Sequence, residues 1–271
     1  MTSIAFFADE TWRGLTRQAN VVFALIFKEF MGRVKSSSGL LGLFWTLATP
    51  MFYALTLSTV WYFLGRHDFF GASPFLVMTT SIMPYMLVRH SFGYIPAAIG
   101  SNMGLYGYPQ VKPIDALIAR FILDSILIMG GGVVVLLGVY WFADMVPTFP
   151  GPLEAIGMIA MLLMMGMGIS LTVGIFATIS DTFDRVLGFI TRPLIFVSLV
   201  MHLGIQLPAN VRYWISWNPL ADINEFLRYY ALGIPPMPEA TVAYPALLAL
   251  LVLAFGLMVY QVYRYRILRQ E

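Results

Sequence analysis

Asp115, Arg120 and Asp124 interrupt one long apolar run of this chain, and Arg89 with His90 interrupts another. Charge inside an apolar run is costly, so it marks either a path for a charged solute or a set of contacts that compensate one another. Arg120 and Asp124 lie four residues apart, which on a helix puts them on one face as a pair. A structural pairing and a place on a transport path both fit this trio. For Arg89 and His90 the two chemistries are a path for an anionic substrate and a contact with lipid headgroups.

Aromatic side chains offer a second chemistry. A sugar packs its C–H face on a flat ring while its hydroxyls stay wet, so Trp45, Tyr53, Tyr62 and Tyr85 are candidates for a substrate pathway together with Arg89 and His90. Membrane belts place Trp and Tyr at the headgroup level as well, and that reading stays open for all four.

Other chemistry is missing from the sequence. No G-x-x-x-x-G-K-[ST] run occurs, so the chain has no loop to cradle nucleotide phosphates. His67, His90 and His202 have no metal-ligand spacing, no serine sits in a G-x-S-x-G elbow, and there is no cysteine. The expectation is no catalytic residue, no metal and no enzyme activity in this chain. Arg212, Asp222, Glu225 and Arg228 are the only charges available for glycan chemistry at the opposite side.

The elements that carry these residues must be helices in a membrane. With 59% hydrophobic and only 11% charged residues, a water-soluble fold of 271 residues has nowhere to hide its apolar surface. A net charge of +2 argues for no acidic partner such as nucleic acid. Spans are expected at about 43–64, 74–95, 114–141, 153–179, 189–207 and 242–260, each long enough at about 1.5 Å per residue to cross roughly 30 Å of hydrocarbon. Before them, about 13–35 reads as an amphipathic helix in the inner interface, with Lys28, Arg33 and Lys35 toward the headgroups. A basic start followed quickly by an apolar core is lacking, so no cleaved signal is expected.

Lysine and arginine orient the bundle. With six spans, Arg13, Arg17, Lys28, Arg33, Lys35, Lys112, Arg120, Arg185, Arg192, Arg264, Arg266 and Arg269 share one side, and only Arg66, Arg212 and Arg228 lie opposite. The positive-inside rule then puts both termini in the cytoplasm. Residues 207–241 are too long and too apolar for a simple outer turn. With Trp214 and Trp217 ahead of Asn218-Pro219, they read either as two short re-entrant helices or as an ordinary folded loop. Gly166, Ser170, Gly174 and Thr178 form a small-residue ridge suited to helix packing, within a subunit or between subunits, and Gly130 to Gly132 suggest another close approach. The expected fold is therefore an all-α membrane protein of one domain over 1–271, with six transmembrane helices, an N-terminal interface helix and re-entrant helices before the last span.

Three stretches in this order resemble a known family. Phe30 to Trp45, reading FMGRVKSSSGLLGLFW and closing at Pro50, resembles the passage from interface helix to first span in type 2 ATP-binding-cassette permeases that export capsular polysaccharide, O-antigen or teichoic acid. Residues 102–120, with Tyr108-Pro109-Gln110-Val111-Lys112-Pro113, resemble the region that docks on the ATPase in that family. Trp217-Asn218-Pro219-Leu220, followed by Glu225 and Arg228, resembles its Asn-Pro segment before the last span. Lys35 to Ser38 depart from the family's usual arginine or tyrosine, a difference that touches headgroup contacts only.

The resemblance implies a permease subunit in the bacterial inner membrane, capsule being the preferred cargo. It implies a second copy of the chain, two ATP-binding subunits that hold ATP and magnesium, a lipid-linked polysaccharide substrate, membrane lipids, and periplasmic export proteins as a further contact. Coupling to the ATPase would fall to Tyr108, Lys112 and Asp115 and to Asp181, Asp184 and Arg185 in the loop 180–188, whose charges also suit a solvated loop end. The alternatives are an ATP-independent transporter or channel, which needs an ion site or inverted repeats, and a membrane-bound glycan-processing enzyme.

Overall fold

The computed structural model describes residues 2–35, 40–143, 145–180, 183, 187–189 and 191–268. Among them every named element is helical: α1 (Thr2–Lys35), α2 (Leu40–Phe63), α3 (Pro74–Phe92), α4 (Ala98–Ser101), α5 (Pro113–Ala143), α6 (Pro152–Ile179), α7 (Leu194–Val197), α8 (Ala209–Ile215), α9 (Pro219–Leu232) and α10 (Ala243–Leu268). Stretches of α5, α6 and α10 are long and apolar enough to cross a membrane: Pro113–Phe142, Pro152–Ile179 and Ala243–Arg266.

The core forms around α3. Ser73 starts this helix by accepting the Leu76 amide at 3.4 Å, and Pro74 takes the first turn, where its missing N–H leaves nothing unpaired. Nearly every later residue of α3 is buried, from Leu76 to Val88, as expected of a helix with apolar side chains all round. α2, α5, α6 and α9 surround it.

Glycines set how closely the outer helices approach. A Cβ on Gly168 of α6 would stand 2.5 Å from the Val252 carbonyl oxygen of α10, and one on Gly256 would stand 2.6 Å from the Gly168 carbonyl oxygen. The two helices therefore touch backbone to backbone. Phe176 and Tyr263, with ring centroids 6.0 Å apart, continue the same parallel pairing toward the chain end. The ridge on α6 is occupied within the chain: Gly166 faces Ser91 and Phe121, and Gly174 faces Ile99 and Leu117. Gly131 faces Leu47 and Pro50 of α2, and Gly132 faces Met83 of α3, so the glycine run is where α5 meets both neighbours.

The amphipathic first helix is longer than the expected 13–35 stretch. It lies against α5 and α2 with Leu25 and Arg33 buried, while Phe23 and Phe27 are exposed on its far side. Helices α2 and α3 occupy the first two expected spans.

The expected fifth span is not one continuous helix. Residues 187–189 are helical, turns follow at 192–193, α7 lasts four residues, and a 3-10 turn covers Gly204–Gln206. Pro193 and Pro208 bracket this stretch, and Leu199 adopts a positive φ of 54°, which an L side chain rarely takes. The broken segment still traverses the bundle. Leu187 and Thr191 lie beside Arg89 at the end of α3, whereas Gln206 accepts a hydrogen bond at 2.9 Å from Arg66, just past the far end of α2.

Candidate functional site

Two polar clusters adjoin α3, one past its C-terminal end and one reaching its middle at Ser81. The first gathers around α1, α5 and the turn after α3. Asp124 is fully buried and receives the Arg33 guanidinium at 2.5 Å through one oxygen and the His90 Nδ1 at 3.0 Å through the other. One turn earlier on α5, Arg120 holds Glu29 of α1 through two nitrogens at 2.8 and 3.1 Å. It also donates to Ser101 Oγ at 2.8 Å and to the Tyr94 carbonyl at 3.3 Å. The Tyr94 ring packs against both guanidiniums, its centroid 5.2 Å from Arg33 and 5.3 Å from Arg120. The sequence pairing of Arg120 with Asp124 is thus replaced by two separate pairs across helices, because α1 brings a cation and a carboxylate of its own.

Further along the same seam, Lys28 donates to Asn102 at 2.5 Å and Gln18 donates to Asp115. Asp115 also accepts the Lys112 amide at 2.8 Å, so it caps the first turn of α5 and both its oxygens are engaged within the chain. Tyr106 donates to the Ile99 carbonyl at 2.9 Å, and its burial raises the phenol well above its ordinary pKa.

Beside this cluster, residues of α2 and α3 with Leu187, Gly188 and Thr191 enclose an open cavity of about 560 Å³. Tyr53, Arg89 and His90 line it together, and Tyr85 is buried one turn from Arg89 on α3. The other two aromatic candidates are elsewhere. Trp45 is exposed between Phe44 and Phe52, with centroids at 5.8 and 6.2 Å, and Tyr62 stacks edge-on to His67 at 4.4 Å beyond the opposite end of α2. Lys35, Tyr108 and Lys112 are exposed. Asp181, Asp184 and Arg185 lie outside the described residues. Tyr94, Thr49 and Thr191, which also line the cavity, escaped the sequence reading; only the position of Tyr94 a few residues after Arg89 hinted at it.

The second cluster lies on α9. Asn218 caps this helix through Leu220 N at 3.1 Å, and Pro219 occupies its first position. Three side chains of one segment then hold three successive carbonyls of the broken stretch: Asn218 takes Val197 at 3.1 Å, Asn224 takes Ser198 at 2.7 Å and Arg228 takes Leu199 at 2.7 Å. Backbone freed by a break inside apolar surroundings needs such partners. Arg228, only 1% exposed, also donates to Ser81 of α3 at 2.8 Å and pairs with Glu225, 3% exposed. Glu225 in turn accepts the Gly204 amide at 3.1 Å and the Met237 amide at 2.8 Å. Burial lowers the Arg228 pKa against the opposing pull of Glu225.

Asp222 accepts the Thr241 amide at 3.2 Å while its other oxygen has no partner among the described residues. Burial pushes its carboxyl up to about 7. Trp214 and Trp217 are exposed, and the Trp217 carbonyl accepts the Tyr244 hydroxyl at 2.7 Å, tying α8 to the start of α10. Arg212 binds Glu239 through Nε at 2.9 Å. Every one of the four charges that glycan chemistry would need is therefore buried or engaged within the chain. Among the described residues no group of three His, Asp or Glu is placed to hold a metal.

No family model matches the chain. Curated proteins do, nearly end to end. The chain is 25% identical over 251 residues to the polysialic acid transport protein KpsM of Escherichia coli, covering 92% of this chain and 95% of that one. It is 23% identical over 256 residues to the capsule polysaccharide export inner-membrane protein CtrC of Neisseria meningitidis serogroup B, with 91% and 92% covered. Along nearly its whole length the chain is similar to proteins of polysialic acid transport and capsule polysaccharide export. A third relative, the capsule polysaccharide export inner-membrane protein BexB of Haemophilus influenzae, is 20% identical over 249 residues, 91% of this chain and 92% of its own.

Proposed function

We propose that this chain is the inner-membrane permease subunit of an exporter that carries a lipid-linked polysaccharide, capsular polysaccharide foremost, out of the bacterial cytoplasm. The observation that carries the reading is the end-to-end similarity to three kinds of capsule-export inner-membrane protein. The chain works as a transport protein, as its relatives are named, and its α9 charges are spent on holding backbone.

In this reading the chain crosses the membrane six times with both termini in the cytoplasm, the fifth crossing being the broken stretch from 187 to 206. Helices α8 and α9 form a re-entrant pair whose polar side chains satisfy that break. All 271 residues act as one transmembrane domain, and two copies join to frame the path. ATP and magnesium belong to a separate ATP-binding subunit on each permease. Tyr108 and Lys112, exposed in the turn before α5, would contact it, as would Asp181, Asp184 and Arg185; Asp115 supports that turn from beneath. Tyr53, Tyr85, Arg89 and His90 form the cytoplasmic end of the substrate path, with Trp45 and Tyr62 along the exposed face of α2. Lys28, Arg33 and Lys35 belong to the interface helix, although the first two are already engaged by Asn102 and Asp124. Periplasmic export proteins would dock on the Trp214 and Trp217 side.

Coexpression with candidate ATP-binding subunits tests the proposal. Copurification of a complex that secretes surface glycan only when its ATP site is intact is the expected result. Transport by this chain alone, indifferent to ATP, would overturn it.

A further inference from the structure

The far ends of α2 and of the broken stretch meet at a second open cavity, of about 540 Å³, at the end of the bundle away from Arg89. The stop of α2 shapes it. Gly65 takes a positive φ of 79°, its amide donates to the Tyr62 carbonyl at 3.1 Å, and the Arg66 amide donates to the Trp61 carbonyl at 3.1 Å. A left-handed glycine closing a helix in this way turns the next residue back on the last turn, and the Arg66 guanidinium accordingly lies 4.9 Å from the Trp61 ring centre. From there Arg66 reaches the broken stretch and donates to Gln206 at 2.9 Å.

The polar side chains around this space are only partly used. Asp68 and His67 make no side-chain hydrogen bond or ion pair among the described residues, and Arg66 has a neutral partner in Gln206 where a carboxylate would have matched its charge. The His67 ring is propped edge-on against Tyr62, with centroids 4.4 Å apart. Phe69, the one apolar side chain among the described lining residues, is 2% exposed, so an acyl chain finds nothing there to pack on. One guanidinium against one carboxylate also leaves no net charge to select an ion. What the set does offer is a carboxylate that accepts two adjacent hydroxyls, a guanidinium and an amide that donate to sugar oxygens, and a flat ring for a C–H face. Those are the needs of a pyranose.

We infer that Arg66, His67, Asp68 and Gln206 form a saccharide site at the outer mouth of the chain, one that reads the adjacent hydroxyls of a sugar unit and not its charge. Its place in transport rests on the export reading. The seam between α2 and the broken stretch carries the Arg89 cavity at one end and this site at the other, so a glycan moving along that seam meets Arg66 and Asp68 as it leaves. The charge bias puts Arg66 on the side opposite the termini, which is the exit side.

The full-length chain is placed in phosphatidylcholine nanodiscs, and binding is read by saturation-transfer NMR with three probes. Isomaltohexaose is the neutral glycan, hexagalacturonate the acidic one, and hexaethylene glycol a chain of ether oxygens without adjacent hydroxyls. Wild type should bind the two glycans within about threefold of each other and leave the glycol unbound. Asp68→Asn and Arg66→Gln should each weaken glycan binding by about tenfold, the scale of one charge-assisted hydrogen bond, and Arg66→Lys should keep part of it, with unfolding temperature unchanged in all three. Glycan signals equal in wild type, Asp68→Asn and Arg66→Gln, or a glycol signal as strong as that of isomaltohexaose, overturn the site. A larger preference for either glycan overturns the reading of hydroxyls over charge. In cells, reduced surface glycan in Asp68→Asn with the ATP-binding subunit still copurifying supports the place on the exit path. Full surface glycan in that variant, once it has lost oligosaccharide binding, overturns that place. Failure of the wild-type chain to recover any ATP-binding subunit would instead sink the export reading and leave the saccharide site standing.

Discussion

Arg228 and Asp222, six residues apart on α9, are both buried and have opposite electrostatic situations. Arg228 has Glu225 beside it and two neutral acceptors, so its charge is compensated. Removing the guanidinium leaves a buried carboxylate with two backbone amides but no counter-charge, and Arg228→Met should cost about 3–5 kcal/mol in thermal or denaturant unfolding. The double variant Arg228→Met with Glu225→Gln should recover a large part of that loss. Asp222 has no cation among the described residues, and its carboxyl is raised by burial to about 7 from an ordinary 3.8. The folded protein therefore holds this proton more tightly than the unfolded chain does. Stability from this group is complete below pH 4, declines as pH rises toward 7, and is flat above it. Asp222→Asn keeps the acceptor for Thr241 and cannot ionise; its melting temperature should exceed wild type at pH 8 and match it at pH 4. A variant that follows the wild-type profile throughout would show that Asp222 is ionised across the range.

At the scale of elements, the crossing of α6 and α10 leaves no space for a side chain at Gly168 or Gly256. Gly168→Ala should destabilise by about 1–3 kcal/mol through overpacking. Gly157→Ala on the same helix meets nothing within 4 Å, so helix propensity alone acts there and should stabilise by roughly 0.5–1 kcal/mol. Opposite signs from two glycines on one helix separate packing from propensity. Helix α1 offers a different case. It is attached to α5 chiefly by polar pairs, so Asp124→Asn should loosen α1 without unfolding the bundle. The expected readout is faster amide exchange along α1 and unchanged protection in α6 and α10.

At the scale of the whole molecule, the proposed function divides between chains. The turn between α4 and α5 adjoins the Glu29–Arg120 pair: Arg120 contacts Ser101 at the end of α4, and Lys112 stands at the start of α5. A push on that turn would travel directly to α1 and to the Tyr94 wall of the cavity. Lys112→Glu should therefore lower substrate-stimulated ATP turnover of the assembled exporter several-fold while insertion and the fold of the chain stay intact. Normal turnover in that variant would remove Lys112 from the coupling surface.

Much of this was legible in the sequence. Hydropathy depends on single residues and their neighbours in the chain, so the long apolar helices α5, α6 and α10 were readable from composition alone. Asn218-Pro219 announced a helix start because capping is local chemistry. The break in the fifth stretch was hidden by its apolar composition: hydropathy counts side chains, and the turn at Leu199 is held by side chains arriving from α9. Nor did spacing reveal the partners of Arg120 and Asp124, which come from α1, about ninety residues earlier in the chain. The sequence by itself determined that this protein lives in a membrane and carries a few costly charges in its helices. Only the tertiary structure decided which of these charges cancel, because cancellation depends on distances across helices that no local pattern encodes.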